Sequence, residues 1–405
     1  MTPLRSRVWI VAVVLSRSVP LAAEVRVEKI PGQAELTTVE VHGVAAGAFD
    51  PSAWEAGTLH FVSDVRSPLL QPRLSGTWRN IYAPSIVVIP DGWRVFYGAW
   101  DGVHTSNDRI YSIQTRDFLD FDDRRIEIEH GTFVHVCNVA AIRSPNGEFP
   151  MFCTAYPVDE KVNKPAFFVR PADAGKPHSA SPADLITMEG YANWVRADMN
   201  GMNVMLFENG VYRLYFGDFR AFGHVYRASS PDGKRFQYEG TCLDAPHMVN
   251  DVKKFIRQDR AWYLMALHAN RDRLWYALSQ DGMKFGPERE LAGNLGAEDK
   301  YIVAVGWVVR DQQLLGFLYG AGAVPELNRN RIFARWLQKK LVFTDTAGNE
   351  LRVLGALGPD RQIVQLQGKP AEVRLQIFSE DDQDPLGKPI AVKLEPGSVY
   401  RIHVD

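Results

Sequence analysis

Residues 82–102 read YAPSIVVIPDGWRVFYGAWDG. An apolar run reaches a turn at Asp91-Gly92 and returns as a second run, apolar and aromatic. Aspartate, asparagine and glycine suit tight hairpins because they tolerate positive φ. The same grammar recurs as CNVAAIRSPNGEFPMFCTAYP at 137–157, MNVMLFENGVYRLYFGDF at 202–219, NDVKKFIRQDRAWYLMALHAN at 250–270 and IVAVGWVVRDQQLLGFLYGAG at 302–322. The later turns fall at Asn146-Gly147, Asn209-Gly210, Asp259-Arg260 and Asp311-Gln312. Self-similarity at a spacing of roughly 50 to 65 residues marks a repeat architecture.

The segments after the hairpins repeat as well. HVYRASSPDGKRF (224–236) and RLWYALSQDGMKF (273–285) each run through a strand, a Ser-x-Asp-Gly turn and an aromatic; RIYSIQTRDFLDF (109–121) is a looser version. Each copy supplies about four short antiparallel strands, which is one propeller blade. Helical periodicity is scarce. The sequence therefore predicts an all-β chain: a five-bladed β-propeller over 61–343. Short alternating runs such as AEVRLQIF (371–378) and VYRIHV (399–404) then predict a small antiparallel, sandwich-like β module over 344–405. Residues 24–60 are expected to form an N-terminal strand segment. Ahead of them, Arg5 and Arg7 precede the apolar run VWIVAVVL (8–15), and small residues gather near Ala23. That pattern predicts a signal peptide over 1–23 and a secreted or periplasmic protein.

Composition narrows the partners. The 405 residues carry 46 Lys and Arg against 48 Asp and Glu, a net charge of −2, which leaves no electrostatic footprint for nucleic acid or an anionic membrane. The N-terminal run is too short for an ordinary spanning helix, and no other segment is a candidate. Ten tryptophans fit a carbohydrate binder and fit equally well any protein whose sheets pack on aromatic side chains. Three cysteines exclude a disulfide framework. Cys137 and Cys153 flank the SPNG turn (144–147), as one bridge or as two buried thiols. No phosphate-binding glycine loop, Gly-x-Ser-x-Gly elbow or His-Glu-x-x-His zinc helix is present. His130 and His135, five apart on a strand approach, face opposite sides and suggest no shared metal. No cofactor is expected, with a structural calcium on the axis left open and no residue pattern pointing to it.

The strand start YAPSIV, the second strands WRVFYGAW (93–100) and VYRLYFGDF (211–219), and the Ser-x-Asp-Gly-x-x-Phe turns resemble the five-bladed glycoside hydrolases. That superfamily contains the family 43 arabinanases and xylosidases and the family 32 invertases. The resemblance covers the propeller. It implies a carbohydrate substrate and catalytic carboxylates, one of them commonly at the first blade's strand start in an Asp-Pro pair. This chain has Ala83-Pro84 there. Aligning the turns sets Ala83, Asn138, Gly201 or Asn203, Asp251 and Val303 at matching starts, and only the fourth is an acid. The family's usual placement is not carried over.

Propeller geometry gathers first-strand starts and second-strand ends at one funnel, where polar groups among apolar strands suit a ligand. Glycoside hydrolysis needs a proton donor and a base or nucleophile. Asp251 and Asp101 lead as the pair, with Asp218 or Glu298 third. His268 is the alternative donor, because an unperturbed imidazole titrates near working pH. Tyr82, Trp100, Asn138, Asn203, Asn250, Asn270 and Arg271 are the expected substrate contacts. Three of these acids have a plain structural alternative. Asp251 can pair with Lys253 or Lys254, Asp101 can serve a turn before Gly102, and Asp218 can pair with Arg220 or Arg271. His268 can be a satisfied buried histidine. Asp232 and Asp281, in the Ser-x-Asp-Gly turns, are read as structural. The expected activity is glycoside hydrolysis of a polysaccharide or oligosaccharide. A non-catalytic carbohydrate-binding propeller, favoured by Ala83, and a propeller lyase are the rivals.

Overall fold

The computed structural model describes residues 25–71, 80–100, 108–157, 162–200, 203–326, 329–351, 353–366, 371–381 and 384–404. The expected signal peptide at 1–23 and Asp101 lie outside the described residues. The fold is all-β, and Pro51–Ala56 is the one α-helix among the described residues. The hairpin chemistry is visible in the backbone. Asn209 and Gly210 hold φ of 52° and 78°, and Asp311 and Gln312 hold 48° and 65°, as type I′ turns require. In the fourth hairpin the positive pair is Gln258 and Asp259, because Arg257 pairs with Arg260. That turn lies one residue earlier than the sequence placed it.

Each hairpin opens a sheet whose strands follow in chain order. The first sheet contains Asn80–Ile89, Gly92–Trp100, Arg109–Thr115 and Asp122–Glu129, extended by the parallel strand His178–Ser179. The second has three strands, His135–Ala141, Phe149–Tyr156 and Lys164–Arg170. The third runs from Asn203–Glu208 through Val211–Phe216 and His224–Ser230 to Arg235–Asp244, with Thr187–Glu189 added in parallel. The fourth comprises Met248–Arg257, Arg260–His268, Arg273–Ser279 and Arg289–Gly293. The fifth joins Tyr301–Arg310, Gln313–Gly322 and Arg331–Leu337 to Phe61–Ser63, a strand from far upstream.

Packing orders these sheets around a common centre. The first strand of each sheet touches the first strand of the next, and Tyr301–Arg310 closes the cycle against Asn80–Ile89. Five separate apolar clusters fill the spaces between consecutive sheets. A small sixth cluster, Tyr82, Ala83, Cys137, Val303 and Ala304, sits where the first strands converge.

The chain ends differ from the expected division. Val25–Gln33 and Thr37–His42 pair with Ser398–Val404 on its two sides, so the N-terminal segment and the last strand share a sheet. Lys340–Thr344, which the sequence pattern assigns mainly to the propeller, pairs with Glu372–Phe378 in a second sheet. Val39, Val41, Phe343, Leu375 and Ile402 belong to the single core of this unit. Strands with one apolar face need a partner layer, and here that layer is drawn from both ends of the chain.

Candidate active site

Four of the five first strands carry an irregularity near their start. Register breaks fall between Tyr82 and Ser85, Cys137 and Ala140, Val249 and Asp251, and Ile302 and Ala304. Each is a bulge that leaves one or two residues outside the ladder and re-aims their side chains. Ala83 and Asn138 sit there at φ of 52° and 51°. With Asn203, Asn250 and Ala304 they line a narrow axial cavity of about 10 Å³, room for roughly one water molecule.

The bulge in the fourth sheet decides the fate of Asp251. A one-residue shift moves a strand residue to the opposite face, so Asn250 lines the cavity and Asp251 is not among its lining residues. The Asp251 carboxylate accepts from Trp307 N at 2.9 Å and from Lys253 Nζ at 2.8 Å, clipping the fourth sheet to the fifth. This is the structural alternative the sequence offered. Asp218 is also occupied: it accepts from Tyr191 Oη, Asp198 N and Arg220 N at 2.9, 2.9 and 2.8 Å and caps a short helical turn. Glu298 is exposed, 3.8 Å from Arg331 Nη1. Its neighbour Asp299 is buried and accepts from Leu295 N, Gly296 N and Tyr319 Oη. His268 is buried with Nε2 3.0 Å from Asn270 Oδ1, and burial lowers its pKa to about 4. Its imidazole is neutral near neutral pH and is no charged donor. Of the five expected catalytic residues, none of the four that are described lines the axial cavity.

One carboxyl outside the expected set has the environment of a donor. Asp108, four per cent exposed, stands immediately before the third strand of the first sheet. Burial pushes its pKa up to about 7, opposed by a hydrogen bond from the Tyr82 hydroxyl. Its Oδ1 has no hydrogen-bond partner. Tyr82 is itself buried beside Cys137, in a slot left open by glycine. A Cβ on Gly98 would lie 3.2 Å from Tyr82 Cζ, and one on Gly320 would lie 3.3 Å from its Cβ. A carboxyl that is half protonated near neutrality is poised to give a proton. The expected set is drawn from first-strand starts and second-strand ends only. A signal for third-strand starts exists: Asp108-Arg109, Asn163-Lys164, Asp272-Arg273 and Asn330-Arg331 repeat one acid-or-amide-plus-base pair at four of them.

The other expected contacts divide cleanly. Trp100 is buried with its Nε1 unpartnered, and the Oδ1 atoms of Asn203 and Asn250 are likewise unpartnered. The amide of Asn203 is fixed by Met199 O at 2.7 Å and Thr154 Oγ1 at 3.2 Å. Asn138 Nδ2 donates to Asn200 Oδ1 at 3.1 Å. Asn270 and Arg271 are exposed on a rim loop. Buried polar atoms without partners are rare and each needs an explanation. Asn203 and Asn250 line the axial cavity, where one water molecule would have room to satisfy them. Cys137, Cys153 and Cys242 are free thiols. Cys137 pairs across the ladder with Thr154, which turns the adjacent Cys153 to the other face. Among the described residues no group of three or more potential ligands could hold a metal, and no helix is long and apolar enough to cross a membrane.

No family profile matches the chain, and no curated protein matches it. Solved structures do. A protein of Bacteroides thetaiotaomicron VPI-5482, provisionally assigned as a glycosidase, superposes with a TM-score of 0.50 at 13% identity, covering 72% of this chain and 99% of that one. A glycosyl hydrolase of Bacteroides ovatus scores 0.48 at 13% identity, over 68% and 93% of the two chains. The GH32 β-fructofuranosidase of Bombyx mori scores 0.43 at 10% identity, over 83% and 90%. At this identity the likeness speaks for fold: the chain has the all-β fold of the propeller-type glycosidases.

Proposed function

We propose that this protein is an exported enzyme that hydrolyses glycosidic bonds in a polysaccharide or oligosaccharide. Its body is read as a five-bladed β-propeller with a β module built from both chain ends. Asp108 protonates the leaving oxygen, and a second carboxylate, for which the sequence offers Asp101, activates water or attacks the sugar. The observation that carries the reading is Asp108 itself: buried, one oxygen unpartnered, raised by burial to a pKa of about 7, and bonded to Tyr82, which packs with Ala83 in the axial cluster.

A second reading has its own observation. The axial positions carry Ala83, Asn138, Asn203 and Asn250, amides and a methyl group in place of acids. That ring suits a carbohydrate-binding propeller without turnover. Release of reducing sugar across a polysaccharide panel separates the two, with wild type beside Asp108→Asn and Asp101→Asn. Loss of a positioned general acid lowers turnover by about 10² to 10⁴-fold. Equal release by wild type and Asp108→Asn would remove Asp108 from the mechanism. Glycan binding without release by any form would favour the binding reading.

A further inference from the structure

Two neighbouring loops, joined by the bond from Phe219 N to Asp198 O, present apolar and cationic groups to solvent. Phe219 and Phe222 are 42% and 49% exposed, and their rings lie parallel, 4° apart in plane with centroids 6.1 Å apart. Val195, on the neighbouring loop, is 83% exposed. Arg196 and Arg220 are exposed, and neither side chain pairs with a described residue. Single exposed apolar residues are ordinary, whereas a clustered set marks an interaction site.

Both loops are pinned. The buried Lys164 ammonium donates to Trp194 O, Val195 O and Ala197 O, each at 3.1 Å. Asp218 fixes the other loop through its three acceptor bonds, and Phe219 N donates to Asp198 O at 2.9 Å, tying the loops together. The acids of these loops are turned inward: Asp198 Oδ1 accepts from both nitrogens of Asn163 at 3.0 Å. The outward charge is therefore left to the arginines. The same loop reaches the axis, because Asn200 accepts from Asn138, a lining residue of the cavity. The aromatic pair is thus held on a fixed loop, tied to one that reaches the axis, with about half of each ring open to solvent.

We propose that these loops form an outer subsite for a polysaccharide chain bearing uronic acids. The rings of Phe219 and Phe222 take the apolar faces of sugar residues, and Arg220 and Arg196 take their carboxylates. The inference rests on reading the axial mouth as a glycan site.

The probes are polygalacturonate and its methyl-esterified form, which keeps the backbone and masks the charge. Binding is measured by affinity electrophoresis and calorimetry at low and high salt. Wild type is expected to prefer the free acid by about tenfold at low salt, a preference that shrinks as salt screens it. Phe219→Ala with Phe222→Ala should weaken binding of the free acid by about tenfold, and Arg196→Gln with Arg220→Gln should abolish the preference. Melting temperatures should stay unchanged, since all four side chains are exposed. Wild-type affinity in the phenylalanine variant, equal binding of both polymers by wild type, or binding of neither would overturn the subsite. Asp108→Asn keeps the two readings apart, for it should bind polygalacturonate as wild type does. If Asp108→Asn also released sugar as fast as wild type, the reaction reading would fail while the subsite stood.

Discussion

At position 83 an alanine holds a left-handed φ of 52° in the axial cluster, a conformation that costs an L-residue with a Cβ about 1–2 kcal/mol. Asn138 occupies the matching bulge at φ of 51°, and asparagine tolerates it. Ala83→Gly should therefore leave the fold intact and raise stability by about 1 kcal/mol or less, after the added freedom of glycine in the unfolded chain. Urea unfolding checks it, and a loss of stability would show that the alanine methyl packs better than its backbone suffers. Asp108 makes the second residue-scale prediction. Its folded pKa of about 7 lies above the ordinary value of 3.8. Between those values the folded chain keeps a proton that the unfolded chain has released, so stability falls as pH rises through the window. The cost is absent below about pH 4 and fully present above about pH 7, on the order of 4 kcal/mol. His268, lowered to about 4 by burial, acts with the opposite sign, losing stability as pH falls from 6.5. Asp108→Asn isolates the first effect: relative to wild type it should gain stability steadily from pH 4 to pH 8. A flat difference would deny the raised pKa.

At the scale of elements, the hairpins were legible in the sequence because their signals are local: an apolar run, a two-residue turn, a second run. The bulges were not, because an extra residue in a ladder is defined by the partner strand. That is why Asp251 was expected in the funnel and Asn250 lines it. Asp108 was missed for a related reason, since its importance comes from Tyr82 on another strand. Close approach between first strands has the same origin. Gly306, in Tyr301–Arg310, lies where a Cβ would meet Pro84 O at 2.2 Å and Ile86 Cδ1 at 2.7 Å. The first of these is backbone and cannot rotate away. Gly306→Ala must push the fifth sheet off the first, at a cost of about 1–3 kcal/mol for overpacking. Because Ala83-Pro84 forms the cavity wall, any glycan binding under the proposed function should weaken along with stability. A substitution that left both unchanged would show that the two strands are not held at this distance.

The whole molecule is bound together by pairings that no local pattern announces. Thr37 Oγ1 accepts from Gly397 N, 360 positions away, and Thr37–His42 runs parallel to Ser398–Val404. Alternation marked these segments as strands but could not name their partners. Asp64 shows how the parts are joined. Fully buried at its side chain, it forms an ion pair with Arg66 and accepts from Trp336 Nε1 at 2.8 Å and Gly358 N at 2.9 Å. Trp336 belongs to the fifth sheet, and Gly358 lies between two strands of the terminal β unit. Gln338 Nε2 reinforces the joint by donating to Gly358 O at 3.0 Å. Asp64→Ala removes the common acceptor, stranding a buried indole N–H, a backbone N–H and the Arg66 guanidinium at once. Each buried donor left without an acceptor costs about 1–3 kcal/mol. The loss should appear as a lower urea midpoint, and as a thermal transition that broadens or splits if the terminal unit now melts before the sheets. Asp64→Asn keeps an acceptor oxygen for one of the two N–H groups and should recover part of the loss. If Asp64→Ala melted within about 1 kcal/mol of wild type in one sharp transition, the two units would be joined by their apolar contacts alone, because a buried indole N–H and a backbone N–H left without an acceptor would have left a larger mark.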